Sequence, residues 1–495
     1  MTDFSERKKK PGTKLESQRQ LSLWNDFFMP KAEKGRRVAA GYRNGSSLNN
    51  AGENGNYWSS SLNTSNSNNA NNLNFNSGNH NVNNNNRNNG QSVRSVTALT
   101  HQQLLADLYR AYGDARKHKR GRTYQLDFEV NLEENLRRLC DELMSRTYRP
   151  EASTAFVIHD PVMREVFAAQ FRDRVVHHLY YNYMHCFFER TFIADTYSCI
   201  NGRGTHFGCN RLEHHIRAVS RNYTRPCFVL QMDVSGYFMS INRLRLLDIC
   251  KETFRRKKHD KASFNGRRWD ETIDFDFIAY LTEVIIMTDP TEDCRIKGRM
   301  ADWDGLPESK SLFRSQPGCG LPIGNLTSQL FSNVYMNRFD QFMKRTLKCH
   351  HYGRYVDDSY VVSDSREWLL DLIPTVRDFL QWELGLELHP DKIRIVDIRF
   401  GVQFLGQYLM PFRRHVAKKS MMRIENGMER LSRMPSNDER SSQAVVNSYW
   451  GVMRHVRSYR RRVSLVKRHP WLFRLGCFNA SFERLSLFPF SKCDL

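Results

Sequence analysis

The sequence predicts a mixed α/β (α+β) chain behind an unordered N-terminal segment, and three observations carry that expectation. Asparagine fills 21 of the 50 positions between Gly41 and Gly90. From about Ala98 onward, apolar residues recur at helical spacing. Short β-forming runs interrupt the helical texture, and two of them meet carboxylates, at Asp233 and at Asp357 with Asp358. A chain of 495 residues can hold two or three domains with sizeable cores.

Each segment follows from its residues. Residues 1–97 are charged at first and then rich in Asn, Ser and Gly, with few aliphatic side chains to offset the entropy of ordering. The runs HQQLLADLYRAYGDA and NLEENLRRLCDELMSRTY read as helices, the second with acidic residues early and arginines late, as the helix dipole favours. REVFAAQFRDRVVHHLYYNYMHCFF reads as one long helix-rich stretch. RPCFVLQMDVSG reads as a buried strand after a turn, and HYGRYVDDSYVVSDS as two strands joined tightly. Beyond about Phe412 the chain turns helical and basic, most densely in SYWGVMRHVRSYRRRVSLVKRHPW, where Trp450 and Tyr459 favour contact with a ligand over mere solvation.

Charge narrows the function. Lys and Arg number 75 against 53 Asp and Glu, a formal charge of +22 that suggests a polyanionic partner, nucleic acid or an anionic membrane surface. Eleven scattered cysteines without a CxxC pair fit reduced thiols in a cytosol. No apolar run approaches the ~18 residues of a membrane span, and the start MTDFSERKKKPGTK has no apolar signal region. The expectation is a soluble cytoplasmic nucleic-acid binder without a membrane partner.

The aspartates carry the chemistry. Alone, the pair in YVDDSYVV reads as an acidic hairpin turn, and Asp233 as a strand-to-helix cap. Side by side in one sheet, the two strands would bring Asp233, Asp357 and Asp358 together. Clustered carboxylates repel unless protonated or bound to cations. Hard oxygen donors select Mg²⁺ or Mn²⁺, and two such ions about 3.5–4 Å apart serve in-line phosphoryl transfer.

With YVDD following FVLQMDVSGYFMSI, the chain resembles the reverse transcriptases. FRDRVVHHLYYNYM and NGRGTHFG are similar to that family's fingers motifs, GCGLPIGNLTSQLFSNVYMNRFD to its nucleotide- and template-positioning segment, and LGLELHPDKIRI with GVQFLGQYL to the end of its palm and its primer grip. The resemblance implies a right-hand polymerase: fingers over 98–223, a ferredoxin-like antiparallel palm over 224–412 and a basic helical thumb over 413–495. It implies that Asp233, Asp357 and Asp358 hold two Mg²⁺ ions with help from the Val234 carbonyl. Phe238 would be the steric gate against a ribose 2′-hydroxyl, Arg164 would hold the triphosphate and Lys392 would protonate departing pyrophosphate. Read without the resemblance, Phe238 is a core aromatic, Arg164 a solvated cation and HPDK a turn. Arg203, Arg454, Arg457, Tyr459, Arg460 and Arg461 would contact template and primer, although a charge run of this kind also suits a solvated face.

One departure refines the expectation. Most reverse transcriptases read LPQGxxxSP where this chain reads LPIGNLTSQ, with Ile323 for glutamine, Gln329 for proline and Gly324 kept for close backbone approach to the nucleotide. The variant resembles the enzymes of diversity-generating retroelements, which copy a template RNA unfaithfully at adenines to vary a target gene. Such an enzyme implies dNTPs, template RNA, cDNA primer and a small basic accessory protein as partners in a bacterial or phage setting. The asparagine tract, about Arg37 to Val96, then resembles the variable end of a C-type-lectin-like target, as a template repeat translated in frame would read. A generic Asn-rich tail and a fused lectin-like domain are the other readings of the tract. A group II intron-type enzyme with maturase activity, or a defence-associated RNA-binding protein on the same fold, are the alternatives for the whole; the expectation is of no further nuclease or splicing domain after the thumb.

Overall fold

The computed structural model describes residues 99–117, 122–159, 162–262, 266–433 and 439–488, and the backbone of strands between 42 and 91. Residues 1–96 and 97–495 form separate units. In the first, Gly55–Leu62, Asn69–Phe75 and His80–Asn86 run as an antiparallel meander, and Tyr42–Asn44 pairs with Ser47–Asn49 and Gly90–Gln91. The composition that denies this segment a core does not forbid such ladders, because strand pairing satisfies main-chain groups whatever the side chains. The rest of the segment that the sequence predicts to be unordered, residues 1–41 and 92–97 included, lies outside the described residues.

The second unit starts with helices where the apolar spacing predicts them. Helix α1 (His101–Arg116) is capped by Thr100, whose hydroxyl accepts from Gln103 N. After α2 (Thr123–Val130), α3 (Leu132–Met144) buries Leu136, Leu139, Cys140 and Leu143 and places Glu133 and Glu134 in its first turn. Strands β1 (Ser153–Ile158) and β2 (Arg164–Ala168) form an antiparallel hairpin. REVFA is therefore a strand and not the start of a helix. Its alternate residues Glu165 and Phe167 are buried, the period of a strand, and the helix begins at α4 (Phe171–Glu189). Helix α5 (Thr205–Val219) follows.

Four strands make the central sheet: β3 (Phe228–Met232), β5 (Tyr352–Tyr355), β6 (Asp358–Ser363) and β7 (Arg394–Asp397), in the order β5-β6-β3-β7 and all antiparallel. The short β4 (Cys294–Ile296) instead joins β1 in parallel. Period-two burial gives the sheet two apolar faces. Leu230, Met232 and Val361 join the main core with α4, α6 (Arg243–Lys257), α7 (Phe275–Met287), α8 (Leu326–Gln341) and α9 (Arg366–Phe379). Val229, Tyr360 and Val362 face a second core with α5, β8 (Val402–Phe404) and β9 (Gln407–Met410), and β10 (Arg413–Val416) extends these strands into a meander while its Val416 joins the third core. A third core, around Ile424, Met428, Val446, Trp450 and Leu465, holds α10 (Lys418–Arg433), α11 (Glu439–Met453) and α12 (Tyr459–Arg468). The region past Phe412 is thus not purely helical, since β10 and a hairpin of Gly476–Phe478 with Leu485–Leu487 belong to it. Among the described residues no helix is long and apolar enough to cross a membrane.

Candidate active site

Strands β3 and β6 are neighbours, with Met232 opposite Ser359. The residue after β3 and the turn before β6 therefore meet at one end of the sheet, and Asp233, Asp357 and Asp358 come together there as the sequence predicts. Asp233 is buried, and its charge acts on the Asp357 carboxyl. Main-chain bonds fix this strand end: His389 N donates to the Asp233 carbonyl at 2.9 Å, and Ser235 N to Glu387 O at 2.8 Å. The same pairing delivers Lys392, in the turn Pro390–Lys392, whose ammonium forms an ion pair with Asp233.

The turn between β5 and β6 is two residues long, Val356 and Asp357, with Tyr355 opposite Asp358. Such loops demand positive φ, which Asn and Gly supply readily. Here Val356, a β-branched residue, sits at φ 58°, a strained conformation that its surroundings must impose. Arg354 Nη1 donates to the Val356 carbonyl at 2.6 Å, and Val356 N donates to Ser198 Oγ at 3.2 Å. The Arg354 guanidinium is itself fixed by Asp340, with Nε to Oδ1 at 2.8 Å and Nη2 to Oδ2 at 2.7 Å, and both side chains are fully buried. Tyr352 and Thr196 hydroxyls also donate to Asp340, at 2.7 and 3.0 Å, so the buried pair is well satisfied. Sequence reasoning missed Arg354 and Asp340. The available signal was an arginine inside an otherwise buried strand, two residues before the turn.

Burial, then the Asp233 and Asp358 carboxylates, push the Asp357 carboxyl up to about 7. Desolvation in the crowded turn and the Asp233 charge raise Asp358 to about 6, although its side chain reaches solvent. Among the described residues no three His, Cys, Asp or Glu groups are arranged to ligate an ion at once, and Lys392 takes the place of a cation on Asp233. The donors nevertheless fit Mg²⁺ or Mn²⁺: they are anionic oxygens whose mutual repulsion a cation relieves. Asp233, Asp357, Asp358 and the Val234 carbonyl are the groups that would hold it.

Phe238, five residues after Asp233, stands half-buried in the single helical turn Tyr237–Ser240. It packs in an apolar cluster with Ala155, Phe167, Met239, Trp303, Leu312 and Ile323. Arg164 opens β2, is exposed, and has no side-chain partner among the described residues. Gln329 is exposed on α8. Gly324, at φ +125°, does make a close approach, but within the chain: a Cβ there would lie 3.0 Å from Val166 Cγ1 and 3.1 Å from the Phe167 carbonyl. Phe167 N in turn donates to Ile323 O at 2.9 Å, so the LPIG segment is bound to β2.

Arg203, expected to contact nucleic acid, is bonded to its own loop. Its Nη1 donates to the carbonyls of Ile193, Ala194 and Thr196 at 3.4, 3.0 and 2.8 Å, and its guanidinium lies over Phe207, so it braces its own loop. Trp450 is fully buried in the third core and touches no ligand surface. Arg454, Arg457, Tyr459, Arg460 and Arg461 are all exposed. Arg454 and Arg457 line a cleft of about 400 Å³ with Arg413, Arg414, His455 and Phe412.

Three carboxylates meeting at the end of an antiparallel strand pair define a site of the nucleotidyl-transfer class. Residues 162–409, half of the chain, match the reverse transcriptase (RNA-dependent DNA polymerase) family, and the chain belongs to that family. No curated protein matches the chain in sequence. Solved structures similar to it include apo telomerase from Candida tropicalis truncated from its C-terminal domain, at 8% identity over 54% of this chain and 55% of that one, with TM-score 0.39. Telomerase from Candida albicans in complex with a TWJ fragment of telomeric RNA is similar at 8% identity over 66% and 57%, again with TM-score 0.39. The chain spans a little over half the length of these telomerases.

Proposed function

We propose that the chain copies RNA into DNA, with a primer 3′-hydroxyl attacking the α-phosphate of a dNTP. The observation that carries this reading is the meeting of Asp233 with Asp357 and Asp358 where β3 and β6 pair. Bound divalent cations would neutralise developing charge and orient the in-line transfer. The protein's own groups do the rest. Phe238 would set its ring against a ribose 2′-hydroxyl, and Arg164, exposed and without a side-chain partner among the described residues, would hold the triphosphate. Lys392, paired with Asp233, would leave it and give its proton to departing pyrophosphate. Exposed Arg454, Arg457, Arg460 and Arg461 follow the template–primer backbone.

The finer reading is a mutagenic polymerase of a diversity-generating retroelement, acting in a bacterial or phage cytoplasm with a template RNA and a small basic accessory protein. It is supported by LPIGNLTSQ and by the asparagine tract. Ile323 packs its side chain among Phe167, Trp303 and Leu312, so it offers no polar contact to an incoming nucleotide. Losing hydrogen bonds of about 0.5–1.5 kcal/mol each relaxes discrimination several-fold. Ile323→Gln should lower misincorporation opposite template adenine more than opposite other bases, read by sequencing cDNA made with the accessory protein present. An equal fall at all four bases, or none, rejects this reading.

A further inference from the structure

The carboxylate of Glu165 is buried on β2, next in sequence to Arg164, and has no cationic partner among the described residues. A buried carboxylate is tolerated only when donors satisfy it. All three donors come from one segment: Trp303 Nε1 at 2.7 Å and Ser311 Oγ at 2.9 Å reach Oε1, and Leu312 N reaches Oε2.

That segment continues to the turn that carries Phe238. The Ser309 carbonyl would lie 2.6 Å from a Cβ on Gly236, whose φ of +51° opens the turn carrying Phe238. The Leu312 side chain would meet a Cβ on Gly320. Leu321 N donates to the Phe238 carbonyl at 2.9 Å. Trp303 and Leu312 belong to the apolar cluster that receives the Phe238 ring, and the Phe313 ring packs at a tilt of 56° against Phe167 of β2, 5.2 Å between centroids. Glu165 thus ties β2 to the segment from Trp303 to Leu312, and that segment backs the turn on which the gate stands.

We infer that Glu165 is a positioning residue for sugar selection: by latching the Trp303–Leu312 segment it fixes the wall against which Phe238 is held. The inference rests on the reading of Phe238 as the gate. A loosened wall lets the ring retreat, so ribonucleotides gain while deoxynucleotide use changes little. A purely structural role for Glu165 would lower both alike.

The test compares kcat/KM for a dNTP and its rNTP on an RNA template with a DNA primer, in the full chain. Glu165→Gln keeps the size but turns an amide toward donors. Trp303→Phe removes one donor and keeps an aromatic ring, and serves where Glu165→Gln does not fold. The dNTP-over-rNTP ratio should fall about tenfold in either variant, with dNTP turnover within a few-fold of wild type. Phe238→Ala is run alongside. A ratio lost in Phe238→Ala but intact in folded Glu165→Gln and Trp303→Phe overturns the latch alone. A ratio intact in Phe238→Ala overturns the gate, and the latch with it.

Discussion

At the turn that carries Asp357, a valine takes a backbone conformation suited to glycine or asparagine, and a fully buried ion pair holds it there. Removing one partner of such a pair strands the other charge, at about 3–5 kcal/mol. Arg354→Ala should therefore lose stability of that order in urea unfolding and release the Val356 carbonyl. A loss below about 1 kcal/mol would show that solvent readily replaces the guanidinium. Single residues were legible where their chemistry alone restricts them. Adjacent aspartates between β-forming residues, and one more at a strand end, have few uses, and Asp233, Asp357 and Asp358 were found that way. Arg354 and Asp340 lie on different elements, and only the fold reveals that one neutralises the other. The bonds of Arg203 to its own loop were not legible, because a basic residue in a glycine-rich loop looks alike whether it serves a phosphate or three carbonyls.

Among the elements, the hairpin β5–β6 and strand β3 were readable because apolar runs ended by turn residues have one common outcome. REVFA was not, since five residues running into a helix lack a period of their own, and pairing with β1 decides them. The packing of α5 on the sheet also carries a pH signature. His215 is buried against Tyr360 of β6, with 3.1 Å between Nδ1 and the hydroxyl. Burial pushes its imidazole down to about 3, against the pull of Asp195. A folded pKa below the unfolded value of about 6.5 means that this group's stability is complete above about pH 6.5 and is lost as pH falls toward the folded value. The penalty of His215→Gln in thermal unfolding should therefore shrink between about pH 7.5 and pH 5. An unchanged penalty at both would mean that the ring does not have to charge in place.

Across the molecule, the division at residues 96 and 97 separates an asparagine-rich unit from the one that holds every candidate catalytic residue. A truncation beginning near Ala98 should fold and retain primer extension within a few-fold of the full chain, and one that aggregates or is inactive would tie the tract to the polymerase. The carboxylate cluster is where fold, family and charge converge, and it lies apart from the basic cleft of Arg454 and Arg457. Substitution at the cluster should separate synthesis from binding. The direct measurement is Mg²⁺-dependent extension of a DNA primer on an RNA template by wild type and Asp357→Asn, with RNA affinity determined on the same preparations. Wild type should synthesise DNA, and Asp357→Asn should lose synthesis by at least ~10³-fold while its RNA affinity stays within a few-fold. Near-wild-type synthesis by Asp357→Asn would contradict the assignment of the site.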